Sequence, residues 1–112
     1  MLVARLRRRR KSAAPAAAHE LDLRWVLKRL GAAQVTSLLV EGGGEVNASF
    51  LMDGLAHRVA FFYAPKVLGG RSARKAVAGE GATRWKETLR LQDIRWKQLG
   101  EDLFLSARVL PF

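Results

Sequence analysis

The chain alternates short apolar runs with stretches of helical spacing, and the clearest junction lies in residues 37–50. Its first part, residues 37–41, is a compact apolar run closed by an acid, which is typical of a strand buried on both faces of a sheet. Three consecutive glycines follow, and Val46 and Phe50 then lie four residues apart on one helical stripe. The pattern predicts a strand, a sharp turn and a helix over residues 45–53.

The helices have start and stop signals. Asp22 is placed to cap the N-terminus of a first helix, and Gly31 stands just past its last apolar residue. Gly54 takes the position favoured for a left-handed C-cap after the second helix, with Leu55 behind it for the accompanying apolar contact. The apolar stripe of the first helix consists of Leu23, Val26, Leu27 and Leu30.

The remaining apolar pattern predicts strands. Residues 57–64 place large side chains on alternate faces, which favours a central strand covered on both sides. A loop follows at residues 66–71, while residues 72–86 contain two glycines and no clear period. Residues 89–99 and 102–109 flank a Gly-Glu turn and predict an antiparallel hairpin. This order predicts an α/β fold whose mixed sheet is parallel in its centre and ends in a C-terminal antiparallel hairpin.

Composition limits the size and setting of this fold. With 112 residues, 49% of them hydrophobic, the chain is expected to form one small domain. It contains no cysteine, and His19 and His57 lack ligand spacing, so neither a disulfide framework nor a metal site is expected. No apolar run approaches the length of a membrane span, and we expect a soluble, cytoplasmic protein.

The net charge of +10 is concentrated at one end of the chain. Six of these charges lie in residues 1–11, which include the Arg7–Lys11 run and no acid, and +4 remains for the other residues. We therefore divide the chain into a basic, Ala/Pro-rich segment at residues 1–20 and a domain at residues 21–112. The run is typical of a solvated basic segment, since no aromatic residue is interleaved with it, or of a segment that binds polyanions nonspecifically.

The glycine turn is the candidate binding feature. Ligands of such sheets bind at the carboxyl ends of parallel strands, which places residues 41–44 at the rim of a site. Glycines let the backbone approach an anion, and the N-terminus of the following helix attracts it. The same glycines also fit a plain tight turn. Glu41 fits either a helix-capping acid or a ligand contact that accepts hydrogen bonds from a polyol or an amino-heterocycle.

Two motifs carry a family resemblance. Val-Glu-Gly-Gly at residues 40–43 stands before a helix, and Ala-Pro-Lys-Val-Leu-Gly-Gly at residues 64–70 follows a strand. With the sequence around and between them, the chain closely resembles the C-terminal reductase domain of the riboflavin biosynthesis protein RibD. The resemblance extends from about Asp22 to Val109.

The resemblance implies a dihydrofolate-reductase-like fold and NADPH-dependent reduction of the ribosyl group of 5-amino-6-(5-phosphoribosylamino)uracil to a ribityl chain. Glu41 matches the family's substrate-contacting glutamate. In such a hydride transfer the protein supplies positioning and electrostatics, and no catalytic acid or base is assigned. Lys66 and Arg71 lie near the expected site but fit a solvent-facing role equally well. The segment that matches the family's NADP-binding turn and helix start is Gly43, Gly44, Glu45, Val46, Asn47, Ala48 and Ser49.

The chain also departs from the family pattern. His57 stands where the family usually has an acid, and Gly44-Glu45 stands where Pro-Thr is common. The family's reductase domain is about twice as long, so the resemblance implies its C-terminal half. We therefore expect a homodimer, or completion of the sheet by a missing reductase segment. The alternative is a noncatalytic remnant, or a small nucleotide- or polyanion-binding module with a basic tail.

Overall fold

The computed structural model describes residues 2–4 and 21–110. These residues form an α/β unit, and most of the basic segment predicted at residues 1–20 lies outside them. No helix in the described part is long and apolar enough to cross a membrane. The elements in chain order are β1 (Leu2–Ala4), α1 (Leu23–Ala32), β2 (Leu38–Val40), α2 (Gly44–Met52), β3 (Ala56–Tyr63), a 3₁₀ turn (Trp85–Glu87), β4 (Leu91–Leu99) and β5 (Asp102–Val109).

The five strands form one sheet in the order β2-β1-β3-β5-β4. Every strand pairing among the described residues is antiparallel, so the parallel centre predicted from the sequence is wrong for this part of the chain. β2 and β3 do run in the same direction, but they are not neighbours in the sheet. β1 lies between them and pairs with both, Val3 with Leu39 of β2 and with Arg58 of β3. The predicted α/β class is confirmed.

The C-terminal hairpin is confirmed: β5 has the predicted bounds, and β4 begins at Leu91, two residues later than predicted. β4 and β5 pair from Leu99 and Asp102 at the turn to Leu91 and Val109 at the far end. The register slips between residues 92 and 95, and Asp93 within the slip adopts a φ of 52°. β4 is one of the two edge strands of the sheet, the other being β2, so this bulge lies at an edge.

The core lies where the helices cover one face of the sheet. Leu27 of α1 and Phe50 of α2 pack against Val59 of β3, and Ala107 of β5 is fully buried. β3 is central, as predicted, but its carboxyl end is not covered on both sides, because Phe62 retains 60% of its exposure in the described structure. Alternating large residues therefore mark strand faces without showing which face is packed.

Both helix starts and ends follow local chemistry. The Asp22 carboxylate accepts a hydrogen bond from the Trp25 N–H at 3.0 Å, which confirms the predicted N-cap. α1 ends at Ala32 rather than before Gly31, and the left-handed position after it is taken by Gln34, with a φ of 63°. At the end of α2 the predicted Gly54 takes this position, with a φ of 64°.

Candidate functional site

The glycine turn joins β2 to α2 without a bulky side chain. Gly43 has a φ of 87° and a ψ of 177° and is the N-cap of α2, which begins at Gly44, one residue earlier than predicted. A Cβ added at Gly43 would meet nothing within 4 Å, so the turn is open on that side. A Cβ at Gly42 would lie 2.9 Å from a Val46 methyl, so the start of α2 packs closely against Gly42 of the turn.

The N-terminus of α2 is electropositive and uncapped by side chains. No side chain caps Gly43 in the described structure. The first-turn N–H groups have no intrahelical acceptor, and the helix dipole adds partial positive charge at this end. Glu45 is the acid of the first turn and offsets part of that charge. Such an arrangement favours a bound anion.

Residues 75–79, hereafter the 75–79 segment, pack against the first turn of α2. The Ala78 N–H donates to the Gly44 carbonyl at 3.0 Å. A Cβ added at Gly44 would collide with the Lys75 carbonyl oxygen and would lie 3.0 Å from the Ala78 methyl. Gly44 is therefore required for this close approach, a role beyond turning the chain.

Asn47 connects the same segment to the helix. Its side-chain Nδ2 donates to the Ala76 carbonyl at 2.9 Å. Its Oδ1 is buried and has no donor among the described residues. Close by, a Cβ added at Gly79 would lie 3.1 Å from the methyl of Ala48. These contacts join positions far apart in sequence, and no local pattern in residues 72–86 predicts them.

The predicted site residues therefore differ in their surroundings. Glu41 is exposed directly after β2. Ser49 is exposed, but its hydroxyl donates to the Glu45 carbonyl at 3.0 Å, within the helix. Lys66 and Arg71 are exposed in the loop after β3. Of the predicted cofactor-binding segment, Gly43, Glu45, Val46 and Ser49 are exposed, Gly44 and Asn47 are half-buried and Ala48 is buried.

An apolar cavity of about 250 Å³ lies between α2, β3 and the chain before β4. Glu87 borders it, and the Glu87 Oε2 accepts hydrogen bonds from the Thr83 hydroxyl at 2.8 Å and from the Arg84 N–H at 3.2 Å. The hydrogen bond from Thr83, with smaller help from the backbone N–H groups, lowers the pKa of Glu87 against the opposing effect of desolvation. The sequence pattern did not predict this cavity, whose lining includes Leu51, Met52, Val59, Phe61, Val77, Ala82, Thr88, Leu89 and Leu91.

The sheet face turned away from the core carries aromatic and basic side chains. Phe62 and Phe104 pair across β3 and β5, with ring centroids 4.8 Å apart. The register places Arg58, Arg95 and Lys97 on the same face. We call this surface, defined by these five residues, the aromatic-basic face.

No group of three or more His, Asp or Glu side chains in the described part of the chain is arranged to hold a metal ion.

The chain is similar in sequence to proteins of one family. The family model that describes the RibD C-terminal domain matches residues 2–105 of the chain. The chain is 37% identical to the riboflavin biosynthesis protein RibD of Actinobacillus pleuropneumoniae, over 80% of this chain and 24% of that protein. It is 38% identical to the 2,5-diamino-6-ribosylamino-4(3H)-pyrimidinone 5′-phosphate reductase of Methanothermobacter thermautotrophicus, over 91% of this chain and 47% of that protein.

A plant relative, the chloroplastic riboflavin biosynthesis protein PYRR of Arabidopsis thaliana, is 35% identical over 67% of this chain and 12% of that protein. The chain thus spans half or less of the length of these relatives. The family match covers both motifs on which the sequence resemblance rests, and it covers the glycine turn and most of the sheet. The chain therefore belongs to the RibD C-terminal domain family.

Proposed function

We propose that the chain provides the reductase site of riboflavin biosynthesis, which reduces the ribosyl group of 5-amino-6-(5-phosphoribosylamino)uracil to a ribityl chain with NADPH. The observation that carries the proposal is the open glycine turn at Gly43, leading into an α2 N-terminus without a side-chain cap, in a member of this family. We further propose a dihydrofolate-reductase-like sheet and a cytoplasmic location, as for a small-molecule biosynthetic enzyme.

The described residues fit a dinucleotide phosphate in two respects. The space beside Gly43 is free of other atoms within 4 Å of an added Cβ, so an anion can approach the backbone. The N–H groups at the start of α2 can donate to it. Gly43, Gly44, Glu45 and Val46 are the residues that would hold the phosphates. When bound, the cofactor supplies the hydride, and the protein contributes position and electrostatics.

Glu41 is proposed to orient the substrate. Its exposed carboxylate follows β2 directly and has only acceptor oxygens when ionised, so it suits the hydroxyl and amino donors of a ribosylated aminopyrimidine. Glu41→Gln keeps the shape and removes the charge. Because a hydrogen bond to a charged group contributes about 1.5–3 kcal/mol, we expect roughly a ten- to hundredfold rise in substrate KM and unchanged NADPH affinity.

The partner of the chain is proposed to be a second copy or the reductase segment that its relatives carry. Tyr63 and Trp96 lie on the core-side face near the tip of the hairpin, with ring centroids 6.1 Å apart, and both are about half exposed. Leu103 beside them is also exposed. Exposed apolar clusters of this kind are typical of surfaces that another protein covers. Trp96→Asp should therefore shift any dimer seen by light scattering to monomer, and an unchanged mass would contradict the use of this surface.

The decisive experiment for the reductase is a titration of NADPH against the purified chain. Trp25, Trp85 and Trp96 are all exposed and report binding by energy transfer to the nicotinamide. Turnover of the aminopyrimidine substrate is then measured by nicotinamide absorbance. Both assays are repeated with the unmatched part of the methanogen reductase added as a separate polypeptide. Absence of saturable NADPH binding in both arms would overturn the proposal.

A second function is favoured by the aromatic-basic face. Exposed aromatic rings flanked by cations on a sheet can stack bases and neutralise phosphates of a single-stranded nucleic acid. The exposure of Phe62 and its contact with Phe104 fit this platform. Arg58 already donates to the Ser106 hydroxyl at 3.2 Å, which leaves Arg95 and Lys97 as the more available cations. The chain would then act as a noncatalytic, polyanion-binding module.

This alternative is tested with a labelled single-stranded oligonucleotide and with heparin, a polyanion that lacks bases. Phe62→Ala should weaken oligonucleotide binding about tenfold while leaving heparin binding unchanged, because only bases stack. Replacement of the Arg7–Lys11 run by alanines, which leaves β1 in the sheet, should weaken both ligands in a salt-dependent way. Oligonucleotide binding that ignores both salt and the Phe62 change would exclude the alternative.

A further inference from the structure

We infer that Asn47 is a positioning residue. It holds the 75–79 segment against the glycine turn, so that the turn and the segment form two fixed walls of the cofactor site. The inference rests on the proposed function, because it names how that site is kept in shape. The sequence resemblance placed Asn47 among residues that contact the cofactor. The geometry gives its side-chain amide a different partner, the Ala76 carbonyl.

Three contacts form this latch. The Asn47 Nδ2 donates to the Ala76 carbonyl at 2.9 Å, and the Ala78 N–H donates to the Gly44 carbonyl at 3.0 Å. The third is the packing of the Lys75 carbonyl against Gly44, which only a residue without a Cβ permits. The contacts meet at the first turn of α2, where the proposed phosphates bind.

The 75–79 segment has little other secondary structure to hold it. The chain between β3 and β4 contains one 3₁₀ turn and is otherwise irregular and largely exposed. Its middle is held by the contacts with α2 and by half-buried Val77, which packs against the core, and loss of the α2 contacts would let the residues on either side of Val77 sample more conformations. A ligand that needs this wall would then have to order it on binding, which weakens affinity.

The state of the Asn47 amide supports a role in position rather than in stability. Its Oδ1 is buried without a donor among the described residues, which is unfavourable for folding. Rotating the amide would not help, because Oδ1 would then face the Ala76 carbonyl, acceptor against acceptor. An alanine would remove this penalty, and with it the bond that holds the segment.

The test compares NADPH dissociation constants of Asn47→Ala, Gly44→Ala and the double variant, well below their melting temperatures. Asn47→Ala removes the bond, and Gly44→Ala displaces the Lys75 carbonyl while adding a good helix former to α2. Each should weaken NADPH binding roughly ten- to hundredfold, since re-ordering even one or two residues is costly. Because both substitutions release the same segment, the NADPH dissociation constant of the double variant should be within about threefold of that of the more weakly binding single variant.

Gln98→Ala is the matched control, because the Gln98 amide also donates to a backbone carbonyl, that of Gly100, at 3.3 Å in the distant hairpin turn. It should leave NADPH affinity unchanged. Hydrogen exchange at the Ala78 amide should accelerate in Asn47→Ala and stay unchanged in Gln98→Ala. This readout follows the latch itself, and a merely stabilising role for Asn47 would not alter it selectively.

The outcomes separate the two proposals. If the unmodified chain binds NADPH and Asn47→Ala binds it equally well, the latch is wrong and the reductase proposal stands. Multiplicative losses in the double variant would also overturn the latch, since they would show independent effects. If Asn47→Ala fails to fold, Gly44→Ala decides the question. Weaker NADPH binding together with faster exchange at the Ala78 amide would support the latch, and unchanged NADPH binding would overturn it. If the unmodified chain binds no NADPH in either arm of the reductase test, both proposals fall.

Discussion

The two helix ends provide a reciprocal test of backbone strain. Gln34 after α1 and Gly54 after α2 adopt nearly the same left-handed conformation, with φ of 63° and 64°. Each end is closed by the same pair of backbone hydrogen bonds, a Schellman motif. The bonds are Gln34 N–H to Gly31 O at 3.0 Å and Val35 N–H to Leu30 O at 3.0 Å for α1, and Gly54 N–H to Leu51 O at 3.1 Å and Leu55 N–H to Phe50 O at 2.9 Å for α2.

The size of the effect follows from these contacts. A side chain in this conformation costs about 1–2 kcal/mol, whereas relaxing the backbone would break two hydrogen bonds worth about 0.5–1.5 kcal/mol each. The chain therefore keeps the strain at Gln34. A glycine also increases the conformational entropy of the unfolded chain. This lowers the free energy of unfolding by about 0.4–1 kcal/mol and offsets part of the relieved strain. Gln34→Gly should then stabilise the protein by about 0.5–1 kcal/mol, and Gly54→Gln should destabilise it by a similar amount.

Urea and thermal unfolding followed by circular dichroism measure both changes. For a domain of this size the melting temperature should rise by about 2–8 °C in Gln34→Gly and fall by a similar amount in Gly54→Gln. A Cβ at Gly54 meets nothing within 4 Å, so a clash cannot produce the loss. The reasoning is refuted if the two substitutions change stability in the same direction, or if Gln34→Gly is neutral.

Three further predictions concern the cap, the core and the cavity rim. Asp22→Ala should destabilise the protein by about 1 kcal/mol in urea unfolding, because it removes the N-cap of α1. Leu27→Ala should cost about 2–5 kcal/mol, whereas Leu21→Ala at an exposed position should cost less than about 0.5 kcal/mol. Because the pKa of Glu87 is lowered, its contribution is complete above the ordinary glutamate pKa and is lost as pH falls through the folded value. An NMR titration should show this pKa rising in Thr83→Ala, and an unchanged pKa would contradict the assigned cause.

Much of the fold was accessible from local patterns. The structure confirms three features that depend on neighbours within a few residues. They are the Asp22 cap, the left-handed Gly54 and the bounds of the second hairpin strand at residues 102–109. The end of α1 was mispredicted because Gly31 suggested a stop, whereas the helix continues to Ala32. Glycine marks where a left-handed residue is cheapest, but packing decides where one is used.

The sheet order was not accessible in the same way. A strand of three residues, Leu2–Ala4, has too little pattern to announce that it pairs with two partners distant in sequence. Once it lies between β2 and β3, a pair expected to be parallel neighbours becomes two antiparallel pairings. The latch at Asn47 escaped prediction for the same reason, since its partner Ala76 lies in a segment without periodicity. The roles of Glu41 and of residues 43–49 remain predictions that the proposed titrations test.

The bulge in β4 governs how the sheet can meet other strands. An incoming chain would have to match a ladder that slips between residues 92 and 95, past Asp93, which is tied to Arg108 by an ion pair of 3.0 Å. Exposed Arg95 and Lys97 follow directly and repel a copy of the same edge. β4 is thus a poor template for cross-β stacking, although it is nine residues long. Of the two edge strands, the short β2 is therefore the one that offers an incoming strand an uninterrupted ladder.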